Sequence, residues 1–243
     1  MLEVKDLVAG YEQRVLLRNL FFSVPEPALV AIVGHNGGGK STFFKILTRQ
    51  VPYQHGQIWI QGRNLQSLSR RVATSLLSYL PQKNTVSFPI PVRDLVVMGL
   101  LRKKHFLDNY NTADYHRVDA LLETLEITHL ANRDFTQLSG GEQQLVWLAQ
   151  LMLQDTRLCL LDEPTQQLDI YHRKKVFELI AGWVSQQQKT VLCITHDLST
   201  LYAYSGYLLN ISKPQPQLEI LSPETIDQNI AFLEKKPVLS YKI

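Results

Sequence analysis

Cysteine is scarce in this chain: Cys159 and Cys193 are the only two among 243 residues. Two thiols cannot build a disulfide framework. Each sits in an apolar run, so both are expected to be buried and inert. Long apolar stretches are missing too. No run approaches the ~18 residues of a membrane span, and the opening Met1-Leu-Glu-Val-Lys5 has neither a basic n-region nor an apolar h-region, so no span and no signal peptide are expected. Charge is sparse and nearly balanced. Charged residues make up 19%, with 25 basic against 22 acidic and a net of +3. Such a balance leaves no electrostatic footprint for nucleic acid or an anionic membrane surface. The low charged share points instead to a surface partly covered by a partner. Repeats and low-complexity segments are absent, and a 45% hydrophobic share excludes a disordered chain. The seven histidines are scattered, with no His/Cys cluster at metal-ligand spacing.

What is present is an alternation of short apolar runs with amphipathic patterns, the mark of an α/β fold with a largely parallel sheet. Strands are expected at Leu2–Leu7, Ala28–Val33, Gln57–Ile60, Leu76–Leu80, Leu158–Leu161, Thr190–Thr195 and Gly206–Ile211. Helical spacing recurs in Val118, Leu121, Leu122, Leu125, in Leu145, Leu148, Ala149, Met152, and in Val176, Leu179, Ile180, Trp183. From about Val86 to Leu153 no good strand is found. Helices are expected there at Val92–Leu101, Thr112–Leu125 and Gly141–Leu153. An all-helical piece therefore looks inserted into a sheet domain, entered through Pro89 and Pro91.

The strand Ala28–Val33 runs into Gly34, His35, Asn36, Gly37, Gly38, Gly39, Lys40, Ser41 and Thr42. This matches G-x-x-x-x-G-K-[ST] between a strand and a helix, the context a P-loop requires. Glycines let successive backbone N–H groups converge on phosphate oxygens, and the helix N-terminus adds its positive end. Lys40 would reach the β- and γ-phosphates and Ser41 would hold Mg²⁺. A second apolar strand ends in Asp162-Glu163-Pro164. Asp162 is the candidate for Mg²⁺; Glu163 could orient or deprotonate the attacking water. Between them, Leu138-Ser-Gly-Gly-Glu142 opens a helix. Taken alone it reads also as a plain loop; as an anion-binding helix end it makes sense if it serves a nucleotide on another chain. His196 follows a strand and points toward the ligand crevice. Gln82, where sheet meets helical insert, could report the γ-phosphate and Mg²⁺ to that insert.

In order and spacing, Gly34–Thr42, Gln82, Leu138–Glu142, Leu158–Glu163, Gln166-Gln-Leu-Asp169 and His196 resemble an ABC (ATP-binding cassette) ATPase over about residues 1–225. The resemblance implies a single P-loop NTPase domain of the ABC type. Residues 1–83 and 158–243 would form its nucleotide-binding core and 84–157 a helical subdomain carrying the signature motif. It further implies a head-to-tail homodimer with two ATP molecules at its interface. Each ATP would be held by one chain's P-loop and, in trans, by Ser139, Gly140, Gly141, Glu142 and the D-loop Asp169. Gln82 matches the Q-loop and would join Ser41 and Asp162 at Mg²⁺. His196 matches the switch histidine, and Tyr11 falls where an aromatic stacks on adenine. Transmembrane permease subunits would dock on the insert, and a substrate-binding protein would take part indirectly. The chain would then lie in the cytoplasm against the inner face of the membrane.

The stretches Tyr79–Gln82, Phe88–Gly99, Leu168–Ile170 and Thr195–Leu198 resemble importers of ferric siderophore, haem or cobalamin chelates. Zinc and manganese importer cassettes are close rivals. A soluble ABC protein acting on DNA or ribosomes is the rival of another class. Against it, Lys40 and Ser139 are only 99 positions apart with no heptads between them, and the chain has a single cassette. Departures from the family pattern are Gln166-Gln167 in place of Ser-Ala, Leu145 and Gln150 in place of arginines, Pro27 in place of glycine, and Ser212–Pro216 without an Asp-Gly turn.

Overall fold

A computed structural model describes residues 2–11, 14–24, 27–104 and 108–235. The chain opens with β1 (Leu2–Tyr11) and β2 (Arg14–Val24), paired antiparallel. Both lose their alternation midway. Leu2 and Val4 point inward, then Leu7 and Ala9, because Asp6 takes a φ of 45° and shifts the register. Asn19, at a φ of 49°, does the same between Leu17 and Leu20. A bulge on each strand therefore keeps both apolar sets on one face.

β3 (Leu29–Val33) is buried at every position and leads through the Gly-rich loop into α1 (Lys40–Leu47). β4 (His55–Ile60) and β5 (Arg63–Asn64) follow, then α2 (Arg70–Leu76) and β6 (Leu77–Leu80). Next come α3 (Val92–Val97), α4 (Thr112–Thr124) and α5 (Gly140–Gln154). β7 (Leu158–Asp162), α6 (Ile170–Ser185), β8 (Thr190–Ile194), β9 (Tyr207–Asn210), β10 (Leu218–Ile220) and α7 (Pro223–Leu233) complete the chain.

Among the described residues the strands form two sheets, one of four in the order β2-β1-β4-β5 and one of six in the order β10-β9-β3-β8-β7-β6. β9, β3, β8, β7 and β6 run parallel. Their near-continuous apolar sequences follow from cover on both faces. One face packs with α1 and the four-stranded sheet around Phe43, Phe44 and Ile58. The other forms one continuous core with α3–α6, reaching Val96, Leu122, Leu148, Phe177 and Ile180. Removing one such leucine to alanine would cost about 2–5 kcal/mol.

The expected strands and helices are found, with three changes. β2, β5, α2, β10 and α7 were not expected. The helix expected at Val92–Leu101 is α-helical only to Val97 and continues as a 3₁₀ turn over Met98–Lys103, where Gly99 lies so close to Gln150 O that a Cβ would fall 2.4 Å from it. Lys189 ends the polar run Ser185-Gln-Gln-Gln-Lys189, which by composition reads as a solvated helix end and loop, yet it is buried, its ammonium 3.0 Å from Asp155 Oδ1. Cys159 and Cys193 are buried free thiols, and burial pushes both thiols above their ordinary value.

Candidate functional site

The segments singled out in the sequence leave the C-terminal ends of the parallel strands: the P-loop after β3, Glu163 after β7, His196 after β8 and Gln82 after β6. Open α/β sheets bind ligands in the crevice at this edge. Ser212, past the end of β9, completes the row, its hydroxyl accepting from His35 N–H at 2.8 Å.

The loop is a tight turn, with Gly38 N–H donating to His35 O at 3.1 Å. Gly39 has a φ of 95°, and a Cβ there would fall 2.9 Å from Leu17 Cδ2, so β2 closes the loop from behind and only glycine fits. As N-cap of α1, Gly39 offers no side chain to the first turn of the helix. Those N–H groups have no intrahelical acceptor, and an anion suits them. Lys40 is buried and spans the loop, its Nζ donating to Gly34 O at 2.7 Å and His35 O at 3.1 Å. Burial lowers its pKa from the ordinary lysine value, against the pull of Glu163 and Asp162.

Asp162 closes β7 at 1% exposure. Burial raises its pKa, as does repulsion from Glu163, while the Ser41 hydroxyl and Lys40 oppose the rise. Its Oδ1 is buried without a hydrogen-bond partner. An orphaned carboxylate oxygen beside a serine hydroxyl fits a hard cation such as Mg²⁺, which takes few protein ligands and completes its shell with phosphate oxygens and water. No group of three or more His, Cys, Asp or Glu that could hold a metal ion is found among the described residues. Tyr79 on β6, not foreseen as a site residue, faces Asp162; burial and then the Asp162 charge raise its phenol above the ordinary tyrosine value.

Glu163 stands at a φ of 54°, held by its N–H to Ile194 O at 3.0 Å and by Gln166 N–H to its own carbonyl at 3.3 Å. Left-handed geometry at a non-glycine residue costs conformational energy, which the surrounding hydrogen bonds must offset. Its carboxylate is nearly buried and lies 3.1 Å from Nε2 of the half-exposed His196. The two border a cavity of about 370 Å³ that Thr165, Arg173 and Thr195 also line. Gln82 Nε2 donates to Gln166 Oε1 at 3.4 Å, so the unusual Gln166 is the partner of Gln82.

The signature segment is a second helix N-terminus. Ser139 caps α5 in a capping box, its N–H donating to Glu142 Oε2 at 2.8 Å and its hydroxyl to the same oxygen at 2.7 Å. Gly140 and Gly141 rest on Gln167 rather than on the P-loop glycines; a Cβ on Gly140 would fall 2.4 Å from Gln167 Oε1. Asp169 caps α6, accepting from His172 N–H at 2.8 Å. Tyr11 is 44% exposed at the end of β1. Its register partner Arg14 places Nη2 within 3.9 Å of a Cβ built on Gly37, so the hairpin end flanks the P-loop. The structure thus brings Lys40, Ser41, Asp162, Glu163 and His196 into one crevice, and leaves Ser139–Glu142 and Asp169 in capping roles.

The ABC transporter family profile matches residues 17–166, more than half of the chain. The chain belongs to the ABC transporter family. It is an ATP-binding cassette and, with that family, an ATPase. The ferric enterobactin transport ATP-binding protein FepC of Escherichia coli is 31% identical over 205 residues, 84% of this chain and 76% of that protein. The zinc uptake system ATP-binding protein ZurA of Listeria monocytogenes is 30% identical over 213 residues, 88% of this chain and 83% of its own. Among solved structures, a metal-chelate type ABC transporter in an inward-facing conformation superposes with a TM-score of 0.81 at 28% identity, covering 97% of this chain and 89% of that one. None of the helices among the described residues is long and apolar enough to cross a membrane.

Proposed function

We propose that this ATPase powers the import of a metal chelate through a separate membrane permease, with ATP bound between two copies of the chain. The observation that carries the nucleotide site is the orphaned Asp162 oxygen beside Ser41, at the mouth of a loop that Lys40 spans. The P-loop N–H groups and Lys40 hold the phosphates. Ser41, Asp162 and Gln82 hold Mg²⁺, which neutralises charge on the phosphate oxygens. Glu163 orients and deprotonates the attacking water, His196 steadies Glu163 and hydrogen-bonds the γ-phosphate, and Tyr11 stacks on adenine. Ser139, Gly140, Gly141, Glu142 and Asp169 act on the nucleotide of the other copy. Residues 84–157 act as the helical subdomain against the 1–83 and 158–243 core. Phe88, 57% exposed, is the docking point for the permease.

Likeness to FepC and to the metal-chelate transporter supports an iron chelate as cargo. Likeness to ZurA, of similar identity and extent, keeps zinc as the second reading.

The trans arrangement has a direct test. Lys40→Ala and Ser139→Ala each inactivate both sites of their own homodimer. In a mixed dimer, the intact P-loop of the Ser139→Ala chain faces the intact signature of the Lys40→Ala chain. Mixing two inactive variants should restore ATPase activity. A mixture as inactive as its parts overturns the arrangement.

A further inference from the structure

Arg173 lies at the end of the first turn of α6, and its guanidinium joins two segments that border the catalytic crevice. Nη1 donates to Asp197 Oδ2 at 2.6 Å, a short charge-assisted bond, and Nη2 donates to Leu168 O at 3.4 Å. Asp197 directly follows His196. It is held from several sides: its N–H donates to Thr195 Oγ1 at 3.0 Å, and its Oδ1 accepts from Ser199 Oγ at 2.6 Å and Thr200 N–H at 3.3 Å. The imidazole one residue away is half exposed and meets Glu163 at 3.1 Å. An exposed ring has little packing to fix it, so its direction depends on the backbone that carries it. That backbone is anchored to α6 through Arg173, and Leu168 on the other side leads into Asp169.

We infer that Arg173 is a positioning residue for ATP hydrolysis: it clamps the His196–Asp197 turn to the Leu168–Asp169 segment and so holds His196 against Glu163. The inference rests on the roles proposed above for Glu163 and His196. Arg173 does not touch the phosphates; it acts through His196. A clamp between these segments also lets a movement of the Asp169 turn reach His196 within the same chain.

The test is ATP turnover by the purified full-length chain, with nucleotide affinity measured separately. Arg173→Ala should lower kcat roughly 10- to 100-fold, the cost of misplacing a reacting group by about 1 Å, and leave KM for ATP within about twofold. Arg173→Lys should recover part of the loss, since an ammonium reaches Asp197 but cannot also bridge to Leu168. In a His196→Ala background, single-turnover rates with and without Arg173→Ala should agree within about twofold, because the clamp then has nothing to hold. A purely structural role would add its full effect in that background and would be repaired in neither Lys variant nor kinetics. Should Arg173→Ala fail to fold, Asp197→Asn reads the same clamp and should lower kcat at unchanged KM. Wild-type turnover in folded Arg173→Ala or Asp197→Asn, or losses that multiply fully with His196→Ala, overturns the inference. Glu163→Gln serves as the control: if it also turns over normally, the site reading has failed; if it is inactive while Arg173→Ala is active, only the clamp has failed.

Discussion

Glu163 offers a way to weigh strain against function. Its φ of 54° costs an L-residue other than glycine roughly 1–2 kcal/mol. Two backbone hydrogen bonds, to Ile194 and from Gln166, hold it there. Glu163→Ala and Glu163→Gly both delete the carboxylate and its contact with His196, so those losses cancel in a comparison of the two. They differ at the backbone. Alanine keeps the strained conformation. Glycine relieves it, but gives up as much as about 1 kcal/mol of extra chain entropy on folding. The glycine variant should therefore be more stable than the alanine variant by about 1 kcal/mol, or about 2–4 °C in a chain of this size. Parallel urea and thermal unfolding measure the difference, and neither variant should hydrolyse ATP. An alanine variant more stable than the glycine variant, the order that chain entropy alone would give, would refute the idea that this turn stores strain.

Other outcomes follow from the same geometry. Phe88→Asp should leave the ATP affinity of the chain unchanged and abolish stimulation of its ATPase by the permease; reconstituted transport at the normal rate would place docking elsewhere. Hydrogen bonding from Lys189 holds the Asp155 carboxyl below its ordinary pKa, so this pair stabilises the fold above the unfolded value of ~3.9 and loses its effect as pH falls through the folded value. Asp155→Asn, which tolerates the local φ of 52°, should therefore be less stable than the wild type at neutral pH and equal to it in acid; with a half-exposed carboxylate the gap stays below about 1 kcal/mol. Deleting the gene should slow growth on a chelated iron source under iron starvation, and Lys40→Ala should not restore it; a defect confined to zinc starvation would move the cargo to the second reading.

Much of this molecule was legible because the candidate site is written in local motifs. The P-loop, Glu163 and His196 each follow a short, wholly buried strand, and such strands show as plain apolar runs. β2 was hidden because the turn at Asn19 breaks its alternation, leaving Leu17 and Leu20 three apart. α7 was hidden because a buried Asn229, bonded to Asn210 at 2.8 Å, interrupts its apolar stripe. Tyr79, Ser212 and Arg173 could not be picked out as site residues. Each matters only through a partner distant in sequence, and one sequence records no pairing. The Asp197 that follows His196 was the available hint, since a carboxylate beside a candidate site residue invites a cation. Gln166 and Gln167 were visible as departures from the family pattern, but only the structure gives them partners, in Gln82 and the signature glycines.

The central claim is that Glu163 drives hydrolysis of an ATP held between two copies of this chain. Glu163→Gln keeps the shape of the side chain and removes the base. Size-exclusion chromatography of this variant, with and without Mg-ATP, combined with phosphate release, tests the claim most directly. The expected result is a stable dimer that forms only with ATP and releases almost no phosphate. A variant that hydrolyses ATP at the wild-type rate, or that gains no dimer on adding ATP, contradicts the account.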